Sequence, residues 1–308
     1  MQSPGEVSVG SRRTELSLVE AAETGATRLD PVTGDVLMQV MTELANMMSL
    51  LARAPARRRI GEIQTLARIL LHQVAKLIMT REINPWIRLR MSPDDAPLPP
   101  SPSIVRVGVF PLSANPIHWG HLLSGLSVMA RARLDKIIYV IGRDSSPDAQ
   151  LYPEELRRGA AAEAIALFQP LFTLVPASAG KTLSGPASFF RLLALNGPQA
   201  MEAFYIFGYE SDRPVSMKDS IETPGNEGGR NAMGHNERMH SVSIVRIDAE
   251  PEERSSPENP RLLAIPSPLP CASSAAVRAA LLSSLHRDEL AVLPACAFRH
   301  FRMLSAFD

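Results

Sequence analysis

The chain has 308 residues, 45% of them hydrophobic, enough for one large domain or a domain with an appendage. Its 32 basic and 32 acidic residues cancel, which argues against a protein devoted to nonspecific nucleic-acid binding; 28 of the basic residues are arginine. Two cysteines, Cys271 and Cys296, make no disulfide framework and read as small buried hydrophobes, and without a run of about 18 apolar residues no membrane span is expected.

Residues 1–30 read as a mobile tail. Glu6, Glu15, Glu20, Glu23 and Asp30 stand there against Arg12, Arg13 and Arg28, with no signal-peptide apolar core, so a cytoplasmic location is the default expectation. A helical region follows over 31–90. Val36, Leu37, Val40, Met41, Leu44, Met47, Met48 and Leu51 form one helical stripe, with Asp30 or Thr33 as cap and Pro31 near the start. Ile60, Ile63, Leu66, Leu70, Val74, Leu77 and Ile78 signal a second helix, and the break near Ala54-Pro55 suggests a helical hairpin. Its many arginines read as a solvated face, or as a contact with an acidic partner or a second subunit. Pro93, Pro97, Pro99, Pro100 and Pro102 exclude helix and central strand alike, so 91–103 reads as a linker and 104–308 as the main domain.

Beyond the linker, strand and helix signals alternate. Strands are expected at 104–110, 136–141, 172–175, 203–207, 242–247 and 262–265. Helices are expected at 122–134, 153–168, 187–195, 273–285 and 294–303. Near-continuous apolar strands between helices imply a parallel sheet covered on both faces, with ligands bound beyond the strands' carboxyl ends. The polar stretch Glu210–His240 interrupts this pattern and reads either as an active-site lid or as a disordered insertion. His235 and His240, five apart within it, do not share a helix face and are expected at the surface. Gly180-Lys181-Thr182 echoes a P-loop, but that loop needs a glycine where Val175 stands, so Lys181 reads as a loop lysine or an auxiliary phosphate contact.

The segment with most chemical content is Gly108-Val109-Phe110, a short run, then Asn115-Pro116-Ile117-His118-Trp119-Gly120-His121. A strand leads into it and a helix leaves it. Helix N-termini carry unpaired N–H groups and a partial positive charge, so they attract phosphate. Histidines at i and i+3 share a helix face, and both can donate to one anion. A structural pair and a zinc pair are the rival readings. The intervening glycine, strand and helix favour phosphate, and the absence of a well-spaced third ligand leaves no metal site expected.

This segment resembles the His-x-Gly-His signature of the nucleotidyltransferase superfamily, most closely the nicotinate and nicotinamide mononucleotide adenylyltransferases. Ala272-Ser273-Ser274-Ala275-Ala276-Val277-Arg278 resembles the superfamily's second signature, with Ala275 at the usual threonine and Ala272 at a larger aliphatic position. Phe204–Glu210 resembles the family's strand-plus-Gly-x-Asp segment, with Glu210 in place of aspartate. Leu290–Phe301 is similar to its closing helix. The resemblance covers 104 to the C-terminus and implies an α/β fold, a Rossmann-like doubly wound parallel sheet, here with an N-terminal helical extension. It implies transfer of AMP from magnesium-bound ATP to nicotinate or nicotinamide mononucleotide with release of pyrophosphate, as in NAD biosynthesis. His118, His121 and Arg278 would be catalytic. Gly108, Val109, Phe110, Asn115, Gly120, Gly208, Glu210, Ser273 and Ser274 would line the nucleotide. The partners implied are ATP, magnesium and a small phosphorylated acceptor, with neither nucleic acid nor membrane; a homo-oligomer stays open. Two alternatives stand beside this: a cytidylyl- or adenylyltransferase with another acceptor, and a catalytically silent nucleotide-binding regulatory protein, motivated by Ala275, Glu210 and the lengthened loop after Phe110. A third treats the basic helical region as the working surface of an interaction protein.

Overall fold

The structure, a computed structural model, describes residues 30–51, 53–92, 94–96, 104–142, 152–176, 195–196, 201–207, 239–245, 262–270, 272–283 and 287–302. The expected tail, all but one end of the expected helix at 187–195, most of the expected proline-rich linker, Lys181, Gly208, Glu210, His235 and Cys271 lie outside the described residues.

Six strands, β1 (Val105–Leu112), β2 (Lys136–Ile141), β3 (Phe172–Leu174), β4 (Met201–Phe207), β5 (Met239–Val245) and β6 (Leu262–Pro266), make one sheet in the order β3-β2-β1-β4-β5-β6. Every pairing is parallel. This is the strand order of the doubly wound Rossmann sheet, whose crevice opens where the order reverses, between β1 and β4. The fold is therefore α/β and Rossmann-like, preceded by helices.

β1 runs two residues past the expected end. Pro111 and Leu112 pair with Val140 and Ile141 of β2, but the β1–β4 register stops at Val109–Tyr205. Pro111 has no neighbour on the β4 side at that point, so its missing N–H breaks no ladder there. β5 begins earlier than the apolar run suggests, because His240 and Ser241 occupy its first positions. His240, expected at the surface, is in fact a strand residue: it stacks on Phe204 at 4.6 Å and lies 2.8 Å from Glu202 Oε1. Glu202 in turn meets Arg106 Nε at 2.7 Å, so one carboxylate links β1, β4 and β5.

Helices α1 (Pro31–Leu50), α2 (Ala54–Met79), α3 (Trp119–Ala132), α4 (Glu154–Ala166), α5 (Ser274–Leu282) and α6 (Ala295–Arg302) all contribute to one hydrophobic core. Phe110, Tyr139, Phe172, Phe204 and Ile206 supply its sheet side. Gly108 also faces it: a Cβ there would lie 2.8 Å from Leu134 and Ile137 methyls and 2.9 Å from that of Ile206. The expected closing helix is divided. A 3-10 turn over Arg287–Val292 precedes α6, and Pro294 stands at the break.

The hairpin α1–α2 packs into this core by the stripes the sequence displays, with Val36, Val40, Leu44, Met47, Ile60, Ile63 and Val74 fully covered. Asp30 caps α1 by accepting from the N–H groups of Val32 and Thr33 at 3.0 and 3.3 Å. Two polar ties fix the hairpin to the far end of the chain. Buried Glu43 accepts from the Cys296 N–H at 2.7 Å, satisfying a free donor in the first turn of α6. Arg59 meets Glu289 at 2.8 Å. Most of the hairpin's arginines are solvated, as with Arg58, whose side chain is 85% exposed.

The sheet's second face carries Val107, Val109, Ile138, Val140, Ala203 and Tyr205, covered by an extended strap that includes Ile87, Leu89 and Met91. Asp135 and Lys136, at the start of β2, pin the strap. Asp135 accepts from the Asn84 and Arg106 N–H groups at 2.6 and 2.8 Å, and Lys136 Nζ donates to the Ile87 carbonyl at 3.1 Å. Burial pushes the Asp135 carboxyl up, against those two donors, which hold it down. Among the described residues no helix is long and apolar enough to cross a membrane.

Glu43→Ala should lower the unfolding free energy by about 1–2 kcal/mol in urea titrations, as for a lost helix cap, and Glu43→Gln by less. Burial, and then the Glu43 carboxylate, push the Cys296 thiol up to about 12. The thiolate is therefore scarce at every pH below that, and Cys296 should stay unmodified by thiol reagents at pH 8 until the chain is unfolded, as read by peptide mass mapping.

Candidate active site at the end of β1

The turn after β1 is built by side chains that close on main-chain carbonyls. His118 is the N-cap of α3 in extended conformation, and His121 sits in the first turn. The His118 N–H points to His121 Nδ1 at 3.3 Å, and the rings stack at 3.8 Å with planes 20° apart. If Nδ1 accepts, the neutral imidazole of His121 carries its proton on Nε2, which makes that edge a donor. His121 is held from behind: Tyr139 donates its hydroxyl to the His121 carbonyl at 3.2 Å, and Phe110 meets the imidazole edge-on at 6.5 Å. Both imidazoles are covered, at 0% and 2% exposure.

The second sequence motif arrives on the same turn. Ser273 caps α5, accepting from the Ala276 N–H at 3.5 Å. Ser274 Oγ donates to the Pro116 carbonyl at 3.1 Å, and Arg278 Nη1 donates to the Asn115 carbonyl at 2.6 Å. A Cβ on Gly120 would lie 2.8 Å from His118 Nδ1 and 3.0 Å from Ala272 Cβ, so Gly120 admits both the ring and the start of α5. His118, Gly120, His121, Asn115, Phe110, Ser274 and Arg278 thus form one cluster. Gly108 and Val109 stand apart from it, inside β1, one walled by methyl groups and the other on the second face of the sheet.

Asn115 and two arginines that no motif singles out complete the frame. Asn115 is fully buried, and its Oδ1 accepts from the Tyr152 N–H at 3.0 Å. Arg157 on α4 is 2% exposed. Its guanidinium donates to the Ser113 carbonyl, to that of Gly142 at 3.1 Å, and through Nε to that of Tyr152 at 3.0 Å. Arg158 Nη1 donates to the Val175 carbonyl at 2.9 Å. One helix therefore ties together the carboxyl ends of β1, β2 and β3. The available signal was an arginine pair early in the helix after β2, with Ala160, Ala161 and Ala164 as its buried face. Burial raises the Tyr152 phenol above the ordinary tyrosine range, while nearby Arg278 acts in the opposite sense.

The donor set consists of imidazole, hydroxyl, guanidinium and helix N–H groups, which suits an anion. Among the described residues no three His, Cys, Asp or Glu side chains gather as a metal would need.

No protein-family model matches the chain, and no curated protein sequence matches it. Among solved structures it is similar to nicotinic acid mononucleotide adenylyltransferase from Plasmodium falciparum complexed with NaAD, at TM-score 0.50 and 13% identity. The match covers 66% of this chain and 98% of that one. At that identity the likeness bears on the fold alone, and it agrees with the Rossmann-like α/β architecture of this chain.

Proposed function

We propose that the protein is a nucleotidyltransferase that moves AMP from magnesium-bound ATP to a mononucleotide of nicotinate or nicotinamide. The observation that carries this reading is the meeting of two motifs, some 160 residues apart in sequence, on one turn at the reversal point of a Rossmann sheet. The acceptor's phosphate oxygen attacks the α-phosphorus, the bond to the β-phosphate oxygen breaks, and pyrophosphate leaves. Such a reaction needs alignment and charge stabilisation more than covalent help. His118 and His121 donate to phosphate oxygens as charge grows on them, and the start of α5 with Arg278 holds the leaving pyrophosphate. Gly208 and Glu210, after β4, border the nucleotide in this reading. Because both imidazoles are covered in the free protein, nucleotide binding entails a local opening of the site.

The test is pyrophosphate and dinucleotide release from magnesium-ATP with nicotinate or nicotinamide mononucleotide. Product should form, and His121→Ala should reduce kcat by about 100- to 1,000-fold, the loss typical of a removed oxyanion donor. ATP binding without product across a panel of phosphorylated acceptors would favour the regulatory alternative instead. Gly120→Ala should cost about 1–3 kcal/mol of stability by urea titration, as an overpacked site does. It should also weaken ATP binding, measured by calorimetry, since the added methyl displaces either the His118 ring or Ala272.

A further inference from the structure

An open groove of about 490 Å³ lies beside the strap, away from the His118–His121 turn, between residues 87–91, Asp95 and Ala96 and the β2–β3 edge. Its charged lining is Arg88, Arg90, Lys136 and Asp95. Lys136 is 9% exposed, and among the described residues its ammonium has one acceptor, the Ile87 carbonyl at 3.1 Å. Burial alone lowers the Lys136 amine below the ordinary lysine range, with no carboxylate acting against it. Asp95 offsets Arg90, whose charge acts on it and whose Nε donates to its main-chain carbonyl at 3.1 Å. Asp95 Oδ2 is taken by the Met91 and Ser92 N–H groups, at 2.6 and 2.8 Å, which hold the carboxyl low and fix it to its own turn. Arg88 is exposed at the mouth. Beyond its bond to Ile87 the Lys136 ammonium keeps two donors, in a groove whose charged lining among the described residues is three cations to one carboxylate, so a bound anion would gain charge-assisted hydrogen bonds there.

We propose that this groove is a second ligand site, taking a small phosphate monoester whose body is apolar or aromatic. Lys136 and Arg88 hold the phosphate, Arg90 adds positive field at the same wall, and Leu89 and Leu174 meet the body. The volume falls within the range of small-molecule sites, about 300–1,000 Å³, and suits a mononucleotide. The ligand would bridge the strap and the sheet edge, so its binding would stiffen residues 87–91.

The test is amide NMR on the full chain, titrated with AMP and, separately, with inorganic phosphate. Saturable shifts are expected at Ile87–Met91, Lys136 and Thr173, with AMP binding at least tenfold more tightly than phosphate. Lys136→Met keeps the length of the side chain and removes the charge; it should weaken AMP at these amides tenfold or more. Arg88→Ala, at an exposed position, should weaken it several-fold and serves if the Met variant does not fold. His121→Ala should leave these shifts unchanged, which separates this site from the one at the end of β1. Absence of saturable shifts there, or an unaltered affinity in both groove variants, would overturn the proposal. Equal affinities for AMP and phosphate would overturn the assignment of the apolar walls.

Discussion

Where β1 leaves the sheet, its carbonyls lose their strand partners while the chain stays buried, and every such group needs a donor. The fold meets this need with side chains from distant elements. Arg157 reaches Ser113, Arg278 reaches Asn115 and Ser274 reaches Pro116, three of the four carbonyls between β1 and Ile117. Two of these donors are guanidinium groups, whose fixed fork and permanent charge hold a carbonyl more firmly than a neutral hydroxyl does. The His118–His121 turn is therefore shaped from outside. Within it, the His118 N–H points to His121 Nδ1, the His121 N–H donates to the His118 carbonyl at 3.0 Å, and the two rings stack.

The same constraint draws the N-terminal hairpin into the site's support. α4, which carries Arg157, packs along α6: His300 meets Glu163 at 3.0 Å and its ring lies over Gly159. α6 in turn begins on the buried carboxylate of Glu43 from α1. A route of direct contacts thus runs from the hairpin through α6 and α4 to the carbonyls beside the histidines. The links at Glu43 and Arg157 are buried, where a small displacement is poorly absorbed, while the His300–Glu163 pair between them is exposed. The arrangement makes residues 31–79 part of the structure that positions the turn, whatever else they do.

Much of the fold was legible because burial on both faces leaves a plain record. β2 was bounded correctly, Lys136 to Ile141, since each of its six residues is covered and Asp135 and Gly142 mark its ends. The hairpin stripes were equally clear, with period 3.6 and a capped start. β5 was harder: the adjacent His240 and Ser241 break the apolar run near its start, and His240 has its partner on the neighbouring strand, which no local pattern announces. In the site, the two motifs could be seen in sequence, and so could their helix-start character. Their mode of joining could not. Arg278 reads as a phosphate ligand, yet one of its nitrogens is spent on the Asn115 carbonyl, and the arginine pair at the start of α4 does not announce that Arg157 turns inward to main-chain carbonyls.

The places where this chain departs from the second signature also acquire a physical sense. Ala275 stands where the signature has threonine, and it is exposed, outside the contacts by which α5 holds the turn. Ser274 and Arg278, the residues that make those contacts, keep their signature identities. Ala272, where a larger aliphatic is usual, is 3% exposed and lies against Gly120. Small residues on both sides of that contact bring the start of α5 close to the His118 ring, as two backbones can approach only when little side chain separates them. A larger residue at 272 would separate them unless the turn moved. The departure at 272 is thus coupled to the geometry of the imidazole pair, whereas the departure at 275 removes a hydroxyl from a position the brace does not use.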